Sequence, residues 1–92
     1  MKMSDSEVKG KMGGLKSWQL AKGKLHKEFK FESFDDAMKF VNSVAGIASS
    51  MNHHPDILNT YNRVTLDINT HDEGGITERD FEFATRVDAL SQ

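Results

Sequence analysis

The chain has 92 residues, no cysteine, and 12 Lys+Arg against 14 Asp+Glu, for a formal net charge of −2. That length holds one small domain with a modest core, so association between copies is an expected source of added stability. The composition excludes a disulfide framework and a thiolate metal site, and a pI of about 6.0 gives no basic footprint for nucleic acid.

No apolar run is long enough to span a membrane, and the first residues lack the apolar stretch of a secretory signal. The expectation is a cytoplasmic protein with no membrane and no nucleic-acid partner. Residues 1–14 are polar and punctuated by glycine. They read as a weakly structured segment or a short helix around Ser4–Met12, capped by Ser4 or Ser6. Val8, Met12 and Leu15 give it only a thin apolar stripe, and Lys2, Lys9, Lys11 and Lys16 form a solvated face. Gly13-Gly14 ends the segment.

Trp18–Ala21 reads as a short strand, with Trp18 in the core. Lys22-Gly23 is a turn signal. From Leu25 to Phe31 the residues alternate, with Leu25, Lys27, Phe29 and Phe31 on one side. His26 falls on the polar side and reads as a surface residue. Ser33 opens the clearest helix, with Asp36 three positions on and Asp35 adding negative charge to the first turn. Its apolar stripe is Phe34, Ala37, Met38, Val41, Val44, Ala45, Ala48 and Met51. Phe40 and Ile47 lie off that stripe, as peripheral core or a partner surface. Gly46 lowers helix propensity by roughly 1 kcal/mol relative to Ala. The helix is expected to end near Met51-Asn52, since Pro55 forbids its continuation.

Residues 56–70 read as a second hairpin, turning at Asn62-Arg63. That register sets Ile57 opposite Ile68 and Asn59 opposite Leu66. Carried to the open end it sets His54 opposite His71, at a Cβ separation of roughly 4.5–5.5 Å. Ile57, Tyr61, Val64, Leu66 and Ile68 share the core side; Leu58, Thr60, Thr65 and Asp67 share the other. Adjacent histidines before a proline can simply end a helix, where a cation suits the dipole. Three of the four histidines at one hairpin end make a site the better reading, because histidine serves as acid or base near neutrality.

His71–Ile76 is a loop, and Gly74-Gly75 lacks phosphate-loop or dinucleotide spacing. Thr77 caps a last helix with Asp80 at its third position. Phe83, Ala84, Val87 and Leu90 form its buried stripe and Phe81 sits to one side. Asp80 is explained by the cap alone, yet the loop returns it to the histidine end of the sheet. The fold class is α+β: a four-stranded antiparallel sheet with helices packed on one face, in the order α-β-β-α-β-β-α, filling residues 1–92 as one domain. Uncovered sheet edges and off-stripe Phe40, Ile47 and Phe81 point to a homodimer or homotetramer.

The set His53-His54-Pro55, Tyr61-Asn62-Arg63-Val64, Thr70-His71 and Thr77-Glu78-Arg79-Asp80 resembles the pterin-4a-carbinolamine dehydratase family, from about Leu15 to Leu90. The resemblance implies dehydration of a 4a-hydroxytetrahydropterin to a quinonoid dihydropterin, with no metal and no cofactor. It implies that His53, His54 and His71 line the pterin pocket, with Pro55 and Asp80 among the substrate-binding residues. His53 and His71 would be the proton-transfer pair, and His54 would chiefly bind. Asp80 would orient a histidine or the loop.

Two positions depart from the family pattern. Ser49 stands where a charged residue is usual, and Ile57 where an aromatic is common. One rival reading is a three-histidine zinc site, disfavoured because adjacent histidines diverge in a strand. Another is a non-catalytic interaction module, a dimerisation cofactor or assembly factor on the same fold.

Overall fold

Leu25, Phe29, Val64, Leu66 and Ile68 are all buried, and their spacing puts them on one side of two hairpins. Only a shared sheet covered from that side buries them all. The structure, a computed structural model, describes residues 1–90. Strands β1 (Gln19–Ala21), β2 (Lys24–Lys30), β3 (Asp56–Thr60) and β4 (Arg63–Ile68) form one antiparallel sheet in the order β1-β2-β4-β3. Helices α1 (Asp5–Met12), α2 (Phe34–Met51) and α3 (Glu78–Asp88), with a single 3-10 turn at His71–Glu73, complete the order α-β-β-α-β-β-α.

The first turn takes positive φ at Lys22 (54°) and Gly23 (76°), which suits the strand twist. The second turn differs from expectation. It falls at Tyr61-Asn62, so Ile57 pairs with Leu66 and Asn59 with Val64. The cause is visible around the turn. The Asn62 side chain donates to the Phe31 carbonyl at 2.8 Å, and the Phe31 N–H donates to the Asn62 carbonyl at 2.8 Å. Asn59 Nδ2 donates to the carbonyls of Tyr61 at 3.2 Å and Arg63 at 2.9 Å. These bonds hold Asn62 inside the turn and outweigh the cost of positive φ at Tyr61 (52°). A slip of two residues keeps every side chain on its face. Val64, Leu66 and Ile68 are buried, but Ile57 on the edge strand is 38 % exposed and Tyr61 in the turn 67 %. Those two are not core residues.

Helix α2 is capped by Ser33, whose hydroxyl accepts the Asp36 N–H at 3.1 Å, and stops at Asn52 in the left-handed region. Its buried face is turned from the expected stripe. Ala37, Phe40, Val44 and Ala48 are buried, while Phe34 and Ala45 are exposed. Phe40 settles the rotation by packing on Phe29 and Phe31, with ring centroids 4.6 and 5.0 Å away. Phe81 is buried as well, so neither phenylalanine forms a partner surface, and Ile47 is half-buried against the core.

The N-terminal segment is a helix. Ser4 and Glu7 form a reciprocal capping box, and the Ser4 backbone N–H holds the Glu7 carboxyl below its ordinary range. Met3 and Val8 enter the core, and the Met3 N–H donates to the Ile76 carbonyl at 2.8 Å. At the far end of α3, Asp88 accepts from Trp18 Nε1 at 2.9 Å, Lys16 N at 3.0 Å and Lys27 Nζ at 3.1 Å. The Lys27 ammonium also lies 4.7 Å from the Phe29 ring centroid. Lys27 therefore shares the core side with Leu25 and Phe29 because its charge has a buried partner there. On the opposite face Lys24, His26, Asp56, Leu58, Thr65 and Asp67 are half-buried or exposed.

Candidate active site

The end of α2, the end of β4 and the start of α3 converge on one carboxylate. Asp80 is fully buried. Its Oδ1 lies 2.6 Å from His53 Nε2, and its Oδ2 accepts from Thr70 Oγ1 at 2.9 Å and from the Thr77 N–H at 2.8 Å. Thr70 and Thr77 hydroxyls join each other at 2.7 Å. Burial of a carboxylate is costly unless it is hydrogen-bonded on both oxygens, and here it is. The α3 N-terminus adds a favourable dipole. Asp80 is thus both the return half of the Thr77 capping box and the group that fixes the His53 ring.

His53 enters this arrangement because α2 ends one residue earlier, at the left-handed Asn52. Its own N–H still donates to the Ala48 carbonyl at 3.0 Å. With Nε2 bound to Asp80, Nδ1 is the ring nitrogen left over. Among the described residues no buried side-chain nitrogen or oxygen lacks a partner. Nδ1 has none, so it opens to solvent although His53 as a whole is only 8 % exposed. Arg79 braces the same junction of helices. Its guanidinium donates to the carbonyls of Met51 at 2.8 Å and Asn52 at 3.1 Å, tying α3 to the end of α2.

His54 and His71 line a common cleft of about 220 Å³ with Lys24, Asp56, Asp67, Ile68 and Asn69. They do not face each other across the ladder, which ends at Asp56 opposite Asp67. Continuing that register would set Asn69 against His54. His71 instead starts the 3-10 turn and reaches the cleft from the loop. His53 is outside this wall, held against Asp80, and Pro55 is half-buried at the entry to β3. Ser49, exposed on the last turns of α2, gives His53 no ring partner; Asp80 supplies it. His26 pairs with Asp67 at 2.7 Å on the open sheet face. Lys24 Nζ meets Asp56 Oδ2 at 2.7 Å, and that hydrogen bond raises the Lys24 pKa.

Two roles were not legible in the sequence. Thr70 stands there in a motif of the resemblance with no role of its own, yet it supplies one of the bonds to Asp80. Arg79 stands in another such motif, and nothing in its spacing shows that it bonds the end of α2. A larger concavity, about 840 Å³, lies away from the histidines, between Phe31, Phe40 and Leu90. Size does not identify the site here, because that hollow holds no histidine and no constrained acid–base pair. Among the described residues no His, Asp and Glu side chains gather in threes as metal ligands do, and no helix is long and apolar enough to cross a membrane.

Comparison with known proteins identifies the family. The family model described as pterin 4 alpha carbinolamine dehydratase matches residues 1–90. A protein of Solibacter usitatus named "Putative pterin-4-alpha-carbinolamine dehydratase" is 46% identical over 90 residues, covering 98% of this chain and 95% of its own length. One of the same name from Sulfolobus acidocaldarius is 42% identical over 98% of this chain and 99% of its own. The crystal structure of a transcriptional coactivator/pterin dehydratase from Brucella melitensis superposes with a TM-score of 0.94, at 33% identity and full coverage of both chains. A pterin dehydratase-like protein identified as a RuBisCO assembly factor in the alpha-carboxysome matches with a TM-score of 0.67, at 28% identity over 80% of this chain and 88% of its own. The chain belongs to the pterin-4a-carbinolamine dehydratase family.

Proposed function

We propose that this protein dehydrates 4a-hydroxytetrahydropterins to quinonoid dihydropterins. The observation that carries the reading is the placement of His54 and His71 on one cleft, while the buried Asp80 fixes His53, the residue before His54. The reaction breaks the bond from ring carbon C4a to its hydroxyl and removes the proton from the neighbouring nitrogen N5. The departing hydroxide needs a proton and N5 must give one up, so one acid and one base suffice. His53, clamped through Nε2 and open at Nδ1, and His71, on the cleft wall, are the proton-transfer pair. His54 chiefly binds the ring. No metal or cofactor enters this scheme. The quinonoid dihydropterin formed would need a separate two-electron reduction before it could serve again as a tetrahydropterin cofactor in the cytoplasm.

The test is the rate at which a chemically made 4a-hydroxytetrahydropterin loses water, followed by ultraviolet absorbance. Catalytic amounts of protein should accelerate it well above the spontaneous rate. No acceleration at any pH from 6 to 8 would remove the enzyme reading.

The similarity to a RuBisCO assembly factor supports a second reading, in which the fold acts through protein contacts. Under it, the three histidines could be replaced together without loss of function. A homodimer or homotetramer fits either reading. The surface for it is the β3 edge, where Ile57, Leu58 and Tyr61 are exposed, rather than Phe40 or Phe81. An exposed apolar strand edge is a ready template for pairing. Light scattering at micromolar concentration that finds only monomer would overturn this assembly.

A further inference from the structure

His53 and His71 are held in different ways. A buried carboxylate fixes the His53 ring, whereas His71 is exposed and takes its place from the backbone that carries it. That backbone is a closed loop. The Thr70 N–H donates to the Gly75 carbonyl at 2.8 Å, the Glu73 N–H to the Thr70 carbonyl at 3.0 Å and the Gly74 N–H to the His71 carbonyl at 3.0 Å. Gly74 turns the chain with φ at 75°. On the inner side the Thr70 hydroxyl donates to Asp80 at 2.9 Å. His71 to Gly74 are all exposed, so packing does little to hold the outer part.

The N-terminal segment closes on the remaining side. Gly75 is buried although Gly74 beside it is exposed, and Lys2 covers it. A β-carbon placed on Gly75 would lie 3.1 Å from each of Lys2 Cγ, Cδ and Cε. The next residue makes the backbone contact, with the Met3 N–H donating to the Ile76 carbonyl at 2.8 Å. The Met3 and Ile76 side chains are both buried in the core. Residues 2–3 therefore lie along residues 75–76, and the Thr70–Gly75 bridge carries that contact back to the residue before His71. Helix α1 fixes the other end of the segment. Its cap, Ser4, follows Met3 directly, and Lys11 Nζ meets Glu78 at 3.2 Å at the start of α3. Within α1 only Val8 is buried, so the helix gains little from the core against the entropy its ordering costs. Its larger consequence is at the loop.

We infer that Lys2 and Met3 are positioning residues for His71: a strap, anchored by α1, that holds the His71 loop against the core. The catalytic consequence rests on the dehydratase reading. Neither residue lines the histidine cleft; both act through the backbone of residues 70–76. A displacement of about 1 Å near a reacting group can cost about 10²-fold in rate. A loop released on one side therefore loses turnover, while His54 and the rest of the cleft wall still bind the ring. The mark of the strap is a fall in kcat with KM kept.

The test sets Met3→Ala and the conservative Met3→Leu beside Val8→Ala, which also removes core volume at the N-terminal segment but lies on α1 rather than along the loop. Amide hydrogen exchange at Thr70, Glu73 and Gly74, followed by NMR, reads the loop without any substrate. Met3→Ala should speed exchange at these three amides by about tenfold beyond any change shared by the whole chain. Val8→Ala should not, and Met3→Leu should restore protection. In dehydration assays Met3→Ala should lower kcat roughly tenfold with KM within about twofold, and should add nothing in a His71→Ala background. Lys2→Ala, at an exposed position, removes the stem over Gly75 and should show the same signature at smaller size, so the test holds if Met3→Ala fails to fold. Unchanged exchange at the three amides in Met3→Ala and Lys2→Ala overturns the strap. An equal fall in kcat in Val8→Ala, or in the His71→Ala background, also overturns it. Faster loop exchange in Met3→Ala with no turnover by the wild type removes the dehydratase reading alone.

Discussion

His53 and Asp80 meet at 2.6 Å across a separation of 27 residues, through Nε2 and Oδ1. The contact ties the residue after α2 to the first turn of α3. It also leaves Nδ1 as the ring nitrogen without a protein partner. Asp80→Asn keeps the size of the side chain but removes its charge and gives it a donor to place among Thr70, Thr77 and His53. We expect dehydration to fall by roughly 10–100-fold, since a base held in the wrong tautomer loses most of its effect. The pH–rate profile should also move, which a purely structural lesion would not cause. A profile and rate equal to wild type would show that Asp80 serves only as a cap.

Thr77→Ala should cost stability. The Thr77 hydroxyl accepts the Arg79 N–H at 3.2 Å and bonds Thr70 at 2.7 Å. Loss of a threonine cap costs about 1 kcal/mol. For a domain of this size that lowers Tm by about 4–8 °C. Differential scanning calorimetry checks it, and turnover of the folded fraction should hold within a few-fold. Unchanged Tm with lost turnover would move Thr77 from the scaffold into the site.

Much of this arrangement is legible in the sequence because it is written in local rules. Ser33 and Thr77 mark helix starts, Pro55 marks where α2 cannot go on, and alternation marks Leu25, Phe29, Val64, Leu66 and Ile68 as one face. The register of the second hairpin was not legible, because positive φ at Tyr61 goes against its propensity. Asn62 is held by Phe31, 31 residues away, and no local pattern reveals that. The burial of Phe40 was hidden for a similar reason: its partners Phe29 and Phe31 belong to the sheet. Within the site, Asp80 could be placed near the histidines from chain return alone. Which histidine it binds depended on Asn52 adopting the left-handed conformation, which turns His53 inward and leaves His54 exposed.

Asp88 offers a stability test remote from the chemistry. Its side chain and that of Lys27 are only 8 % and 11 % exposed. Asp88→Ala would leave the Lys27 ammonium and the Trp18 indole N–H without their acceptor. Breaking a buried pair from one side costs about 3–5 kcal/mol. The residual exposure of both groups puts the expected loss near the lower figure. Urea unfolding should show the midpoint falling, with the slope unchanged. The paired change Lys27→Met with Asp88→Ala should recover part of the loss, because it removes the stranded charge. No recovery in the double variant would mean that Trp18 and Lys16 carry the effect.

The histidines separate the roles within the site. His53→Ala removes the ring that Asp80 orients, and His71→Ala removes the one that reaches the cleft from the 3-10 turn. A positioned acid or base is worth roughly 10²–10⁴-fold, and the dehydration also runs unaided in water, so losses toward the smaller figure are expected in kcat. If the two act on one proton path, the double variant should be little slower than the worse single one. His54→Ala should raise KM for the pterin more than it lowers kcat, because His54 lines the cleft without a fixed partner. Asp80→Asn in a His53→Ala background should add nearly nothing, since its effect passes through the His53 ring. The measurement is kcat and KM across pH for these variants beside the wild type, with and without EDTA. Activity removed by EDTA would bring the zinc reading forward. Full activity in both His53→Ala and His71→Ala would sink the proton-transfer assignment, and equal, independent losses from Asp80 and His53 would dissolve the dyad.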